Sequence, residues 1–130
     1  MRSRSLALAF AAALGAAAGA QPASAGDADR GKLAFGRCAA CHALTPDAAG
    51  LPGPSLAGVI GRPAAQLPNF RYSPALKRSG LTWTEDTLDR FLANPQGVVR
   101  GNRMPFSGVG DAAERADLIA YLARDAAPAR

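Results

Sequence analysis

Cys38-Ala39-Ala40-Cys41-His42 decides the fold, because two cysteines three positions apart followed at once by a histidine form the attachment pattern of a c-type haem. Both thiols are expected to form thioether bonds to the porphyrin, with His42 as an axial ligand of the iron. A Cys-x-x-Cys pair alone can also be a thiol–disulfide redox site or half of a zinc site. Zinc needs about four Cys or His ligands, whereas the chain has one histidine and two cysteines. No βαβ pattern of the kind that accompanies redox dithiols is visible.

Met104 is the expected second axial ligand. The chain has two methionines, and the other is the initiator. A thioether opposite an imidazole raises the reduction potential of haem iron. A single methionine more often fills a gap in a core. Met104, however, lies in Gly101-Asn102-Arg103-Met104-Pro105-Phe106, where glycine, proline and the lack of helical apolar spacing indicate a loop.

Residues 1–25 have the layout of a secretory signal peptide. A basic start precedes an apolar run from Leu6 to Ala20, and small residues lead up to Ala25. The run of 15 residues is shorter than the roughly 20 that span a bilayer, so an uncleaved anchor is the weaker alternative. We expect cleavage after Ala25, a periplasmic location, no stable membrane insertion, and one domain over residues 26–130.

The charge of the mature chain excludes one class of partner. The whole chain has 15 basic and 10 acidic residues, and cleavage removes two arginines, which leaves 13 basic against 10 acidic side chains, or +3. Two haem propionates would lower this to about +1. That net charge is too small to imply binding to nucleic acid.

The spacing of apolar residues predicts an all-α fold. The three main helices are predicted over residues 27–37, from 83 or 84 to 93, and over 111–124. Thr82-Trp83-Thr84-Glu85 has the Thr-x-x-Glu form of a capping box at the start of the second helix, and Asn94-Pro95 is expected to end it. Frequent proline and glycine between Thr45 and Pro68 predict a loop that packs on a cofactor.

Several segments, in order, resemble the class I cytochromes c, the small soluble monohaem proteins of mitochondria and bacteria. The matching segments are Cys38–His42, Gly53–Leu56, Gly61–Arg62, Gly80–Trp83, the Met104 loop and Asp117–Leu122. The resemblance covers essentially all of the mature chain. It implies the cytochrome c fold, in which three main helices, short helices and loops pack around one covalent haem c, with a short helix near Pro74–Arg78.

The resemblance also assigns residues around the haem. The Pro54 carbonyl would accept the Nδ1–H of His42 and fix its ring, although a glycine-proline pair is by itself only a turn signal. Arg62, Tyr72 and Trp83 resemble the residues that surround the haem propionates, where their N–H and O–H groups offset the cost of burying carboxylates. Trp83 can equally be a core residue.

Two further sets of positions follow from the resemblance. Gly31 and Phe35 are expected to meet residues 118 and 121 of the last helix, because a glycine inside a helix makes sense where two helices cross closely. Three positions depart from the commoner family pattern, which has Tyr, Asn and Thr there: Phe91, Leu76 and Asn102. These departures should make the methionine side of the haem more apolar.

The resemblance implies an electron carrier rather than an enzyme, since no substrate binds an iron whose two axial positions stay occupied. Arg37, Arg100 and Arg103 are expected to form a basic rim where redox protein partners dock through acidic patches. We expect a monomer. Two alternatives remain open: the electron-accepting subunit of a periplasmic dehydrogenase, and a gas-binding or peroxidatic haem protein. The second is weakened because the chain offers no distal histidine as an acid–base group.

Overall fold

The computed structural model describes residues 25–126. The helices, in chain order, are α1 (Ala28–Ala34), a 3-10 helix (Phe35–Arg37), α2 (Pro74–Arg78), α3 (Glu85–Ala93), α4 (Pro95–Val98) and α5 (Ala112–Asp125). Within the described range, the only β pairing is a single isolated bridge between Pro63 and Thr82. The all-α prediction is therefore confirmed. The predicted signal peptide, apart from its last residue, lies outside the described residues.

The first predicted helix is confirmed as two consecutive pieces. The Asp27 side chain caps α1 by accepting the N–H groups of Asp29 and Arg30 at 2.9 and 3.0 Å. The chain then tightens into the 3-10 helix, which leads directly into Cys38. Leu33 does not join the core, because 82% of its surface is exposed. The cysteine motif is thus attached to the end of a helix.

The first and last helices cross at very short range, as predicted. A Cβ added at Gly31 would lie 1.9 Å from the carbonyl oxygen of Asp117 and 2.8 Å from Cβ of Tyr121. The rings of Phe35 and Tyr121 pack beside this point with centroids 5.5 Å apart. Leu118, only 1% exposed, lies in the same core. Only a residue without a side chain allows the two backbones to approach this closely.

A buried carboxylate fastens the same two helices. Asp117 on α5 accepts the backbone N–H of Asp27 at 2.6 Å and the Nε–H of Arg30 at 2.8 Å. These hydrogen bonds were not predicted, since each joins residues about 90 positions apart. They hold the pKa of Asp117 below its usual value, chiefly through the hydrogen bond from Arg30. The carboxylate is therefore stabilised in its charged form.

The predicted capping box is wrong in register. Thr84, rather than Thr82, caps α3, and its hydroxyl accepts the backbone N–H of Thr87 at 3.1 Å. The reason is a backbone pairing in which Trp83 N–H donates to the Arg62 carbonyl at 2.9 Å. Because this pairing keeps the chain extended at residue 83, the helix cannot begin until Glu85.

The sequence predicted one of the two short α-helices and missed the other. Pro74–Arg78 is confirmed as α2. The Asn94-Pro95 pair ends α3 as predicted, but the chain then forms α4, which was not predicted. Asn94 caps α4 by accepting the Gly97 N–H at 3.0 Å, and Pro95 occupies the first turn, where its missing N–H costs no hydrogen bond.

The long connection over residues 45–68 contains no regular helix, which confirms the predicted loop. It is nevertheless tied together internally. Buried Ser55 donates from its hydroxyl to the Thr45 carbonyl at 2.7 Å and accepts the Ala57 N–H at 3.1 Å. Among residues 25–126, no helix is long and apolar enough to cross a membrane.

Candidate haem site

The residues predicted to carry the chemistry meet at one cavity of about 360 Å³. Cys38, Cys41 and His42 reach its wall from the turn that follows the 3-10 helix, and Met104 reaches it from the loop between α4 and α5. Residues more than 60 positions apart in sequence therefore share one wall. A more open depression beside the end of α5 has none of these four residues in its wall.

The rest of the wall is mostly apolar. It includes side chains from the long loop and from helices α3 and α5, among them Leu56, Val59, Leu88, Phe91, Leu92 and Leu118. Trp83 packs on Phe91 with ring centroids 4.8 Å apart. A deep apolar cavity with two thiols, an imidazole and a thioether in its wall fits a flat, largely apolar porphyrin with iron at its centre.

The two thiols lie in one tight turn. The N–H groups of Cys41 and His42 both donate to the Cys38 carbonyl, at 3.1 and 2.9 Å. The cysteines are not bonded to each other, and burial raises the pKa of the Cys38 thiol. A raised pKa opposes thiolate formation and makes a thiol–disulfide redox site less favourable. Across residues 25–126, no three His, Cys, Asp or Glu side chains gather to hold a metal ion.

His42 is oriented by the loop opposite it. Its Nδ1 lies 2.7 Å from the Pro54 carbonyl oxygen. A carbonyl can only accept, so Nδ1 carries the proton and Nε2 keeps a free lone pair. Burial, the largest cause, holds the pKa of His42 below its usual value. The ring is therefore neutral at neutral pH, as a metal ligand must be.

Gly53 allows this loop to approach the histidine, a role that the sequence reasoning missed. A Cβ at Gly53 would lie 2.6 Å from Cε1 of His42 and 2.8 Å from the Cys41 carbonyl oxygen. Both distances are shorter than van der Waals contact, so any side chain would push the imidazole away from Pro54. The glycine-proline pair is visible in the sequence, where it predicts a turn and the Pro54 acceptor but not the close approach at Gly53.

Arg62, Tyr72 and Trp83 all lie in the cavity wall, as the resemblance implied. The guanidinium of Arg62 donates to the Ala57 and Ser55 carbonyls at 2.7 and 2.9 Å. Its position is therefore held by the loop backbone. Burial lowers the pKa of Arg62 and raises the pKa of Tyr72. Both residues are thus placed in a partly dehydrated environment.

The three departures from the family pattern differ in where they lie. Phe91 and Leu76 line the cavity and bring no polar group to it. Asn102 also borders the cavity, but its side chain is hydrogen-bonded to the backbone around it. The cavity wall is thus apolar at two of the three positions. At the third, the Asn102 side chain is hydrogen-bonded to the backbone around it.

Five exposed cations lie in segments that border this cavity, and we call them the cationic face: Arg71, Lys77, Arg78, Arg100 and Arg103. The chain has no acidic residue from position 48 to 84 or from 90 to 110. None of the five forms an ion pair with another described residue. Their segments adjoin, since a Cβ at Gly101 would lie 3.4 Å from Cβ of Ala75. Arg37 also borders the cavity, but its charge is paired with Glu114.

The apolar cavity with its two thiols, imidazole and thioether fits a protein built around a covalently attached haem. Comparisons with known proteins agree with this class. A family model described as Cytochrome c matches residues 28–124. Cytochrome c2 from Rhodomicrobium vannielii is 46% identical over 77% of this chain and 80% of its own length. Cytochrome c2 iso-2 from Magnetospirillum fulvum is 51% identical over 68% of this chain and 92% of its own length.

A solved structure matches the fold as well. Cytochrome cH from Methylobacterium extorquens superposes with a TM-score of 0.70 and is 41% identical, covering 75% of this chain and 98% of that one. The chain belongs to the cytochrome c family. It carries one haem c, for which Cys38 and Cys41 supply the two attachment thiols, and it is an electron carrier.

Proposed function

We propose that the chain is a periplasmic one-electron carrier whose haem iron is bound axially by His42 and Met104. One observation carries this proposal. The single histidine and the single methionine beyond the initiator lie in the wall of the same cavity as both cysteines. The other side chains of iron-ligand type in that wall have different proposed roles, since Cys38 and Cys41 attach the haem and Tyr72 faces a propionate.

The protein's own residues supply a fixed and dry ligand set. The bound haem supplies reversible one-electron chemistry at its iron. Pro54 keeps the proton of His42 on Nδ1, which leaves Nε2 available and prevents rotation of the ring. A thioether has no proton to lose, so Met104 can remain a ligand over a wide pH range. The apolar wall excludes water, so few polar groups must reorient when an electron moves.

Arg62, Tyr72 and Trp83 are proposed to receive the haem propionates. The Arg62 guanidinium has five N–H donors, and two of its nitrogens donate to the Ala57 and Ser55 carbonyls. The donors that remain can bond a carboxylate, and a cation in a partly dehydrated wall favours an anion beside it. Tyr72 and Trp83 add an O–H and an N–H in the same wall.

Partner docking is proposed at the cationic face. Arg71 and Arg103 border the cavity, so the face adjoins the opening through which electrons would pass. Five uncompensated cations favour an acidic patch on a redox protein, with weak, salt-sensitive binding. The basic rim expected from the sequence, Arg37, Arg100 and Arg103, is thereby extended by Arg71, Lys77 and Arg78, and within it Arg37 is the one residue paired with a carboxylate.

Export and cleavage are proposed on the sequence pattern of residues 1–25 together with one contact. A Cβ at Gly26 would lie 2.0 Å from the Ala116 carbonyl oxygen. The chain is therefore packed on α5 from Gly26 onward, which supports cleavage before this residue rather than within the domain.

The absorption spectrum of the oxidised holoprotein tests the ligand set. We expect covalent haem with the weak charge-transfer band of a ferric iron–thioether bond, and no rapid binding of carbon monoxide to the ferrous form. Met104→Ala should abolish the band and admit carbon monoxide while the haem stays attached. Leu76→Ala is the matched control, because it shortens a neighbouring wall residue and should keep the band. If the band survives in Met104→Ala, the ligand assignment is wrong.

A further inference from the structure

The loop that carries Met104 is held by the side chain of one buried asparagine. Asn102 is 9% exposed. Its Nδ2 donates to the carbonyls of Pro95 and Val99 at 3.0 and 2.9 Å, and its Oδ1 accepts the N–H of Met104 at 2.9 Å. One side chain therefore connects the turn of α4 to the backbone of the expected ligand.

Gln96 closes the same loop from the outside. Its Nε2 donates to the Asn102 carbonyl at 3.0 Å, and its Oε1 accepts the Gly101 N–H at 3.2 Å. Gln96 lies on α4 and is exposed. Both ends of its side-chain amide are thus hydrogen-bonded to the backbone of residues 101 and 102, although Gln96 itself is exposed and fills no place in the core.

The backbone of the loop contributes little to its own closure. Between residues 100 and 109 its described backbone hydrogen bonds are Asn102 N–H to Val99, Phe106 N–H to Met104 and Val109 N–H to Leu92. The side chains of residues 96 and 102 add five more. Segments with few backbone bonds open most readily, so closure of this loop depends on these two amides.

Two wall residues that have polar counterparts in the commoner family pattern are apolar here. Phe91 and Leu76 border the cavity and have no group that can donate a hydrogen bond. Neither residue can hold the sulfur by a hydrogen bond, so retention of Met104 on iron depends more strongly on how rarely its backbone moves away.

We propose that Gln96 and Asn102 are positioning residues that keep Met104 on the iron, and that Gln96 sets how often the thioether leaves. The inference rests on the proposed function, because it needs Met104 as a ligand. Opening the loop breaks the hydrogen bonds of Gln96, and closing it restores them. Removal of Gln96 therefore raises the fraction of time for which the sixth position of iron is open.

Capture of imidazole by the oxidised holoprotein measures this opening, because external imidazole binds only when the thioether has left. We expect Gln96→Ala to raise the rate of capture about five- to twenty-fold, since each hydrogen bond lost changes an opening equilibrium by about five-fold. Gln96→Leu keeps most of the volume but neither hydrogen bond, and it should behave like Gln96→Ala. A rise of less than about three-fold in either variant overturns the proposal, since one lost bond alone predicts more.

Two control variants separate this role from general destabilisation. Gln66→Ala makes the same chemical change at a glutamine whose side chain forms one long hydrogen bond, to the Ala64 carbonyl at 3.5 Å. Arg30→Ala weakens the α1–α5 junction far from the loop. Both should capture imidazole at the wild-type rate, whatever they do to the urea midpoint. A rise in Arg30→Ala equal to that of Gln96→Ala would assign the effect to global stability and overturn the proposal.

If Met104 is not an iron ligand, the unmodified protein itself gives a different result from that expected above. In that case the unmodified protein lacks the thioether charge-transfer band and captures imidazole rapidly. Hydrogen exchange supplies a readout that does not depend on iron, since Gln96→Ala should speed exchange of the Gly101 N–H, whose acceptor is Gln96 Oε1. An unchanged Gly101 exchange rate contradicts the role given to Gln96.

Discussion

At the scale of single residues, the site depends on two glycines at positions with no room for a side chain. Gly31 lets α1 and α5 cross, and Gly53 lets the loop carbonyl reach His42. Each would carry a Cβ closer than 3.0 Å to backbone or ring atoms. Packed interiors cannot absorb such overlaps without moving whole segments. The position of His42 is thus controlled as much by the absence of a methyl group as by the hydrogen bond to Pro54.

Gly31→Ala should destabilise the holoprotein by about 2 kcal/mol, because overpacking costs about 1–3 kcal/mol and the better helix propensity of alanine returns less than about 1 kcal/mol. Gly36→Ala is the matched control, since a Cβ at Gly36 meets nothing within 4 Å. Urea unfolding followed by circular dichroism measures both. Equal midpoints for the two variants would contradict the close crossing of α1 and α5.

At the scale of elements, sequence patterns predicted the features that depend on interactions between residues close together in the chain. The cysteine motif, the first and last helices and the proline-glycine loop were all visible, because spacing, caps and breakers act within a few residues. The start of α3 was misplaced because Trp83 pairs with the distant backbone of Arg62.

The helix α4 and the role of Gln96 escaped for the same reason. α4 has only four residues, too few to show a helical period in sequence. The partners of Gln96 are backbone groups, and backbone positions around an irregular loop cannot be inferred from residue types. The resemblance supplied Pro54, Arg62, Tyr72 and Trp83, which all lie in the cavity wall, and their roles toward the haem stay predictions.

The junction of α1 and α5 should make stability depend on acid pH. The pKa of Asp117 in the folded chain lies below its ordinary value of 3.8, chiefly because of Arg30. A lowered folded pKa contributes stability that is fully present above the ordinary value and is lost as the pH falls through the folded pKa. The urea midpoint should therefore fall below about pH 4.

Asp117→Asn should remove part of this dependence. We expect a lower urea midpoint at neutral pH and a flatter decline in acid than in the unmodified protein. Asp86→Asn, at an exposed carboxylate on α3 that pairs only with Arg90, is the control and should keep the unmodified slope. If Asp117→Asn declines in acid as steeply as the control, Asp117 does not carry the effect.

At the scale of the whole molecule, charge is divided unevenly although the net value is small. The cationic face has no acidic residue in its segments, whereas the ion pairs of the described residues join α1, the 3-10 helix, α3 and α5. Such a distribution orients an approaching anionic partner even when net charge is near zero.

Lys77→Glu should slow electron transfer to an acidic redox protein several-fold at about 0.1 M ionic strength, where charges act over about 10 Å. Lys32→Glu on α1 changes the net charge equally and should have little effect. Stopped-flow rates would show the difference, and it should vanish at about 1 M salt, where the screening length is about 3 Å. Equal slowing by both variants would locate docking elsewhere.

The crossing of α1 with α5 also dictates an order of events during biogenesis. Arg30 and its partner Asp117 are 87 positions apart, so the helix that precedes Cys38 has nothing to dock on until the final helix has emerged. Closure of so long a span is slow compared with local turns. The segment that carries the two sulfurs consequently stays undocked until α5 is available.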